Sequence, residues 1–157
     1  MAVRLSTGAV NALAGGGAGD GSFVDVFANA VIAVYTGTQP ANADAAESGT
    51  LLGLITVDGG EFTGGVATNG LNWDAAVAGV CGKPSAEEWA IIPDASGTAG
   101  WARLYANAMV TGASSSAVRI DMACGVGAGE LRMSTTSLTT GVKSVVNSLN
   151  VTVPKSA

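Results

Sequence analysis

The sequence predicts an all-β chain, an antiparallel β-sandwich or jelly roll with one short helix and an extended N-terminal arm. Three observations predict it. Eight or nine short apolar or alternating runs are separated by Gly, Ser, Asn or Pro turns. No segment with helical spacing exceeds ten residues, which disfavours a βαβ sheet. The 157 residues suit one domain with a real core, and they divide into an arm with a Gly-rich tract at 1–22 and a β-sandwich domain at 23–157.

Each element follows from local chemistry. The tract Gly15-Gly16-Gly17-Ala18-Gly19-Asp20-Gly21 has the composition of a flexible linker, and with the residues before it is expected to form an arm docked on a neighbouring subunit. Phe23, Val26 and Phe27 stand at helical spacing behind Ser22, an N-cap residue. The period then changes to the β-branched and aromatic run Val31-Ile32-Ala33-Val34-Tyr35, closed by Thr36-Gly37-Thr38-Gln39-Pro40. A small, acidic stretch at 41–49 leads into a strand at 50–57 and the tight turn Asp58-Gly59-Gly60, with a partner strand expected from Glu61-Phe62. Asn69-Gly70, between Val66-Ala67-Thr68 and Leu71-Asn72-Trp73, favours positive φ at both central positions of a type I′ hairpin.

Trp89-Ala90-Ile91-Ile92 ends at Pro93-Asp94. Residues 100–109 alternate, with Trp101, Arg103 and Tyr105 on one face and Ala102, Leu104 and Ala106 on the other, the small face packing inward. Val118-Arg119-Ile120-Asp121-Met122 and Glu130-Leu131-Arg132-Met133-Ser134 alternate apolar with charged residues as half-buried antiparallel strands do. The last run sets Val145, Asn147, Leu149, Val151 and Val153 opposite Ser148, Asn150 and Thr152. Core roles are expected for Trp101, Leu104, Leu149 and Val151.

Composition excludes several function classes. Histidine, the commonest general base and metal ligand, is absent, so a serine triad of the usual kind cannot be built. The net charge is −5, and the seven Lys and Arg form no stripe for a phosphate backbone, so no direct nucleic-acid partner is expected. The longest apolar run, residues 30–35, is far too short to span a bilayer, and residues 1–13 hold no signal-peptide core, so the chain is expected to be made and assembled in a cytoplasm without a membrane partner. Cys81 and Cys124 lack the Cys-x-x-Cys spacing of a metal or redox site and read as buried free thiols, although spacing also allows a disulfide.

The remaining motifs favour bland readings. Gly125-Val126-Gly127-Ala128-Gly129 lacks the Gly-Lys-Ser/Thr ending and the strand–helix context of a phosphate loop. Asp44 with Glu47, or Glu87 with Glu88, are the available acid–base pairs, but adjacent strand residues point to opposite sides and the other pair lies in a loop. Ser114-Ser115-Ser116 lacks a nucleophile elbow, and no Asp-x-Asp-x-Asp run offers a calcium loop. No catalytic residue, cofactor, metal ion or small-molecule substrate is predicted. Trp73, Trp89 and Trp101 could stack on sugars if exposed at one end, whereas core or interface packing is the simpler use of scarce aromatics.

Several phrases in order carry a resemblance: Arg4-Leu5-Ser6-Thr7-Gly8 with Asn11-Ala12-Leu13, Phe23 to Asn29, Tyr35-Thr36-Gly37-Thr38-Gln39-Pro40 and Ala43-Asp44-Ala45-Ala46. They continue with Gly49-Thr50-Leu51-Leu52, Thr68-Asn69-Gly70-Leu71, Thr98-Ala99-Gly100-Trp101-Ala102-Arg103 and Arg119-Ile120-Asp121. Over nearly its whole length the chain resembles small virion structural proteins of tailed bacteriophages. The resemblance implies a particle component and carries no catalytic residues. Within it, a capsid decoration or cement protein is expected, bound to the major capsid protein and to copies of itself, with a trimer as one geometry. A tail or connector component, and a carbohydrate- or receptor-binding module, are the alternatives. Interface roles are expected for Arg4, Leu5 and Ser6 in the arm and for the loop 39–47, with Gln39, Pro40, Asp44 and Glu47.

Overall fold

The computed structural model describes residues 3–15 and 21–152. Most of the Gly-rich tract, and Val153, lie outside the described residues. The elements in chain order are β1 (Arg4–Leu5), α1 (Thr7–Leu13), α2 (Phe23–Val26), β2 (Val31–Thr36), β3 (Leu51–Val57), β4 (Val80–Gly82) and β5 (Trp89–Ile91). β6 (Gly97–Tyr105), β7 (Arg119–Gly125), β8 (Leu131–Met133), β9 (Ser137–Leu138), β10 (Ser144–Ser148) and β11 (Asn150–Thr152) complete it.

The chain is all-β, as its alternation predicts, but the sheet is a closed barrel rather than a sandwich or jelly roll. The ring runs β7-β8-β10-β5-β3-β2-β6, and pairing of β6 with β7 from Trp101↔Ala123 to Tyr105↔Arg119 closes it. β6 and β7 are long enough to satisfy partners on both edges, so the sheet has no need to fold over as two separate layers. β1 and β9 attach to β7 and β6 outside the ring, and β4 pairs with β11 as a separate two-stranded ribbon. Period-2 alternation is common to sandwiches and barrels, so it could not distinguish them.

Alternate residues of all seven ring strands meet in the barrel interior: Ile32 and Val34, Leu52 and Ile55, Ile91, Ala102 and Leu104, Ile120 and Met122, Leu131 and Met133, Val146. Trp89 joins them. From it Trp73 and then Phe23 continue in edge-to-face contact, with centroids 5.1 and 4.8 Å apart. Trp101, Leu104 and Leu149 are buried as expected, and Val151 is half-buried against the same core. A second cluster lies on the outer face of β2 and β6, where Tyr35 stacks on Trp101 at 4.6 Å.

Five local expectations change. The one predicted helix forms as a single turn, with Ser22 and Asp25 in a reciprocal capping box, but a second helix, α1, occupies the expected arm. That arm is not extended away from the molecule. β1 pairs with β7, Ser6 caps α1, and Gly8 lies so close to the Ser116 carbonyl that a Cβ would stand 2.3 Å from it. The Asn69-Gly70 hairpin does not form. Asn69 has the expected positive φ, but Nδ2 donates to the Glu61 carbonyl within an irregular loop, and Leu71 bridges to Ala30. Asp58-Gly59 does turn with positive φ, yet β3 pairs onward with β5, not with residues 61–62. The final run breaks at Leu149, so that Val146, not Val145, faces the core from β10, and β11 leaves the barrel.

The Gly125-to-Gly129 run has a structural task. β7 and β8 are parallel over Cys124↔Leu131 and Gly125↔Arg132, a pairing that ordinarily needs a connection of a dozen residues. Here the chain coils back within residues 126–130. A Cβ on Gly125 would fall 1.9 Å from the Ala128 carbonyl oxygen, and Gly129 has φ +89°.

Candidate functional site

The arm and the loop singled out as interface come together on one side of the barrel, over the outer face of β6 and β7. The strand alternation that sends Ala102, Leu104, Ile120 and Met122 inward sends Arg103, Tyr105, Arg119 and Asp121 outward. The outward residues are buried even so, because residues 38–50 and 107–118 lie across them. This corrects the half-solvated face that alternation with charge suggested.

Two guanidinium groups hold this cover in place. Arg103 and Asp121 face each other across the β6–β7 ladder and form a two-pronged pair, Nε to Oδ1 at 2.5 Å and Nη2 to Oδ2 at 2.8 Å, with both side chains fully buried. Arg103 Nη1 also donates to the Ala45 carbonyl at 2.9 Å and to Glu47 Oε1 at 3.0 Å. Arg119 donates to the Gly112 and Ser114 carbonyls at 2.6 and 2.9 Å and to the Asp44 carbonyl at 3.2 Å. The loops thereby gain partners for carbonyls that would otherwise be buried unpaired.

Glu47 is the junction. Its carboxylate accepts from Arg103, from the Tyr105 hydroxyl at 2.5 Å and from the Gly112 amide at 3.0 Å, with Arg119 at 3.5 Å. Burial would raise its pKa, but the Tyr105 hydroxyl, backbone amides and Arg103 outweigh it and hold the carboxyl below its ordinary value. Burial drives the Tyr105 hydroxyl well above the usual tyrosine value, and donation to Glu47 adds to that. For Arg103 burial works against the charge, and the Asp121 carboxylate more than restores it.

The other expected interface residues are tied to the same assembly. Arg4 donates through Nη1 to the Pro40 carbonyl, which joins the arm to the loop. Ser6 is fully buried: its Oγ donates to the Ala117 carbonyl at 2.6 Å and accepts from the amides of Ala9 and Arg119. Asp44 accepts from the Thr7 hydroxyl and amide at 2.6 and 2.8 Å, and these bonds lower its pKa. Gln39 is buried, and Leu5 is the outlier, 41% exposed and turned to the opposite face of β1. Arg4, Pro40, Asp44 and Glu47 therefore tie the loop to the body of the chain, while Ser6 ties the arm to residues 117–119.

Sequence reading missed the residues that do the bracing: Arg103, Tyr105, Arg119, Asp121 and Thr7. A usable signal was present. Arg103 and Asp121 are opposite charges on strands that, Arg119 apart, are built mostly of apolar and small residues, a pairing expected when both are withdrawn from water.

The acid–base candidates are engaged in similar ways. Glu87 accepts from Asn72 Nδ2 at 2.8 Å and from the Trp89 indole at 2.6 Å, while Glu88 pairs with Lys143. Cys81 and Cys124 are free thiols, and burial, aided by Glu130, pushes Cys124 up to about 12. Trp73, Trp89 and Trp101 are all buried, so they form no sugar-stacking face. Among the described residues no cluster of His, Cys, Asp and Glu has the arrangement of a metal site, and no helix is long and apolar enough to cross a membrane. No family model, curated protein or solved structure matches the chain.

Proposed function

We propose that the chain is a non-enzymatic structural subunit of a bacteriophage virion, a capsid decoration protein that binds across major capsid subunits and stabilises the shell. The observation that carries this reading is how the chain distributes its charges. Only 12% of residues are charged, and three of them, Arg103, Arg119 and Asp121, are fully buried, while Val77, Val126, Val142, Val10 and other large apolar residues are exposed. Such a surface is poorly suited to a free monomer and well suited to one covered by neighbours. The resemblance of the ordered phrases from Arg4 to Asp121 points the same way.

In this role the braced loop 38–50 presents a fixed surface to the shell, and no ordering cost falls on binding. Contacts available only in the assembled shell stabilise it by mass action. Assembly takes place in the host cytoplasm, with the major capsid protein and further copies of this chain as partners. Quantitative mass spectrometry of purified particles tests the reading. Hundreds of copies, close to stoichiometric with the major capsid protein, are expected. A few to a few tens would transfer the chain to the tail or connector, and none would end the virion assignment.

A further inference from the structure

A cavity of about 980 Å3 opens at one end of the barrel, on the face of β1 and β7 opposite the braced loop. It is at the upper end of the range for pockets that enclose drug-sized molecules, about 300–1,000 Å3. Its floor is the inner face of the barrel, with Leu104, Ile120 and Met122. Phe23 of α2 and Leu149 and Val151 at the start of the ribbon form the walls. Leu5, opposite Ile120 in the β1–β7 ladder, lies on the rim with Ala75 and Ala76.

The lining says what fits. Among the described residues, the charged ones in the lining are Asp25 and Glu130, with no Lys or Arg. Asp25 is held by the Ser22 hydroxyl and Glu130 by the Ala123 amide, so both carboxylates are fixed at the cavity. A molecule with an anionic head would meet like charge there.

We propose that this cavity binds one elongated apolar molecule whose polar end is neutral or positively charged. Apolar walls then leave water, while the carboxylates face the one end of the ligand that tolerates them. The proposal is independent of whether the chain belongs to a particle.

The full chain would be titrated with N-phenyl-1-naphthylamine, a neutral probe that brightens in apolar surroundings, and with the anionic probe 1-anilinonaphthalene-8-sulfonate. Saturable binding of the neutral probe at one site is expected, with the sulfonate at least ten-fold weaker. Ala76→Trp, on an exposed rim segment, and Val151→Trp are each expected to weaken the neutral probe at least ten-fold while circular dichroism and Tm stay at the parent values. Absence of saturable binding, tighter binding of the sulfonate, or unchanged affinity in both folded variants would overturn the proposal. So would two other occupants: binding that appears only after deletion of residues 153–157, or only on dilution of an oligomer detected by light scattering.

Discussion

The two faces of the β6–β7 pair are equally dry and differently built. Inward, Ala102, Leu104, Ile120 and Met122 meet other apolar side chains, an arrangement that tolerates exchange of one hydrocarbon for another of similar volume. Outward, Arg103, Tyr105, Arg119 and Asp121 each need partners at defined positions: Asp121 takes Arg103, and loops 38–50 and 107–118 supply partners for the other three. The inner face drives collapse. The outer face specifies which loop conformation is compatible with the collapsed barrel, because any other would strand a buried charge.

The largest expected effect comes from Asp121→Ala, which leaves Arg103 buried beside a lost partner and should cost about 3–5 kcal/mol in urea unfolding. Loss of less than 1 kcal/mol would show that water readily reaches the guanidinium and that the outer face is not a true interior. The double change Arg103→Met with Asp121→Leu should recover much of that stability. It should still leave residues 44–47 exchanging amide hydrogens faster, since Ala45 and Glu47 lose their anchor.

On the inner face, Leu104→Ala should cost about 2–5 kcal/mol through lost burial and the remaining cavity. Its amide-exchange signature should be global, with no preference for loop 38–50. A loop-selective response would erase the distinction between the faces.

Glu47→Gln should cost about 1.5–3 kcal/mol, the range for hydrogen bonds to a charged group. Acid should mimic it. Glu47 and Asp44 are both held below their ordinary values, so the unfolded chain binds more protons near pH 4, and their stabilisation, complete above that pH, is lost as pH falls. The slope of stability between about pH 5 and pH 3 should be shallower in Glu47→Gln than in the parent chain. At the alkaline end Tyr105 acts with the opposite sign. Its raised pKa keeps it protonated in the fold while the unfolded tyrosine ionises near pH 10, so stability falls as pH rises past about 10.

Ser6→Ala gives the smallest change, about 1–2 kcal/mol, by removing the N-cap of α1 together with its bond to the Ala117 carbonyl. The loss should appear as earlier exchange in α1 while the barrel strands remain protected.

The strands were legible because burial imposes a period of two: the alternation of 100–109 and 118–122 marked both β6 and β7 and the correct inward face. Closure was not legible. It depends on β6 and β7 finding each other across the interval 106–118, and nothing in either run names its neighbour. The Asn69-Gly70 expectation failed for a related reason: Asn69 takes the predicted positive φ but Gly70 does not, and Leu71 bridges to Ala30 and not to residues 66–68. The loop residues Asp44 and Glu47 were singled out for an interface; the structure shows them bonded within the chain, and those partners were missed because charges on strands were assigned to water.

The pairing of β1 with β7 also sets an order of events in synthesis. Ser6 waits for Arg119, 113 positions later, before its hydroxyl and backbone find their partners. At translation rates of about 5–20 residues per second this is a delay of roughly 6–20 s. For that time Arg4 and Leu5 are a strand without a ladder. Once β7 emerges, the tether gives the chain's own β1 a local concentration on the order of millimolar. A strand from a second molecule wins that race only where copies are crowded to a similar density.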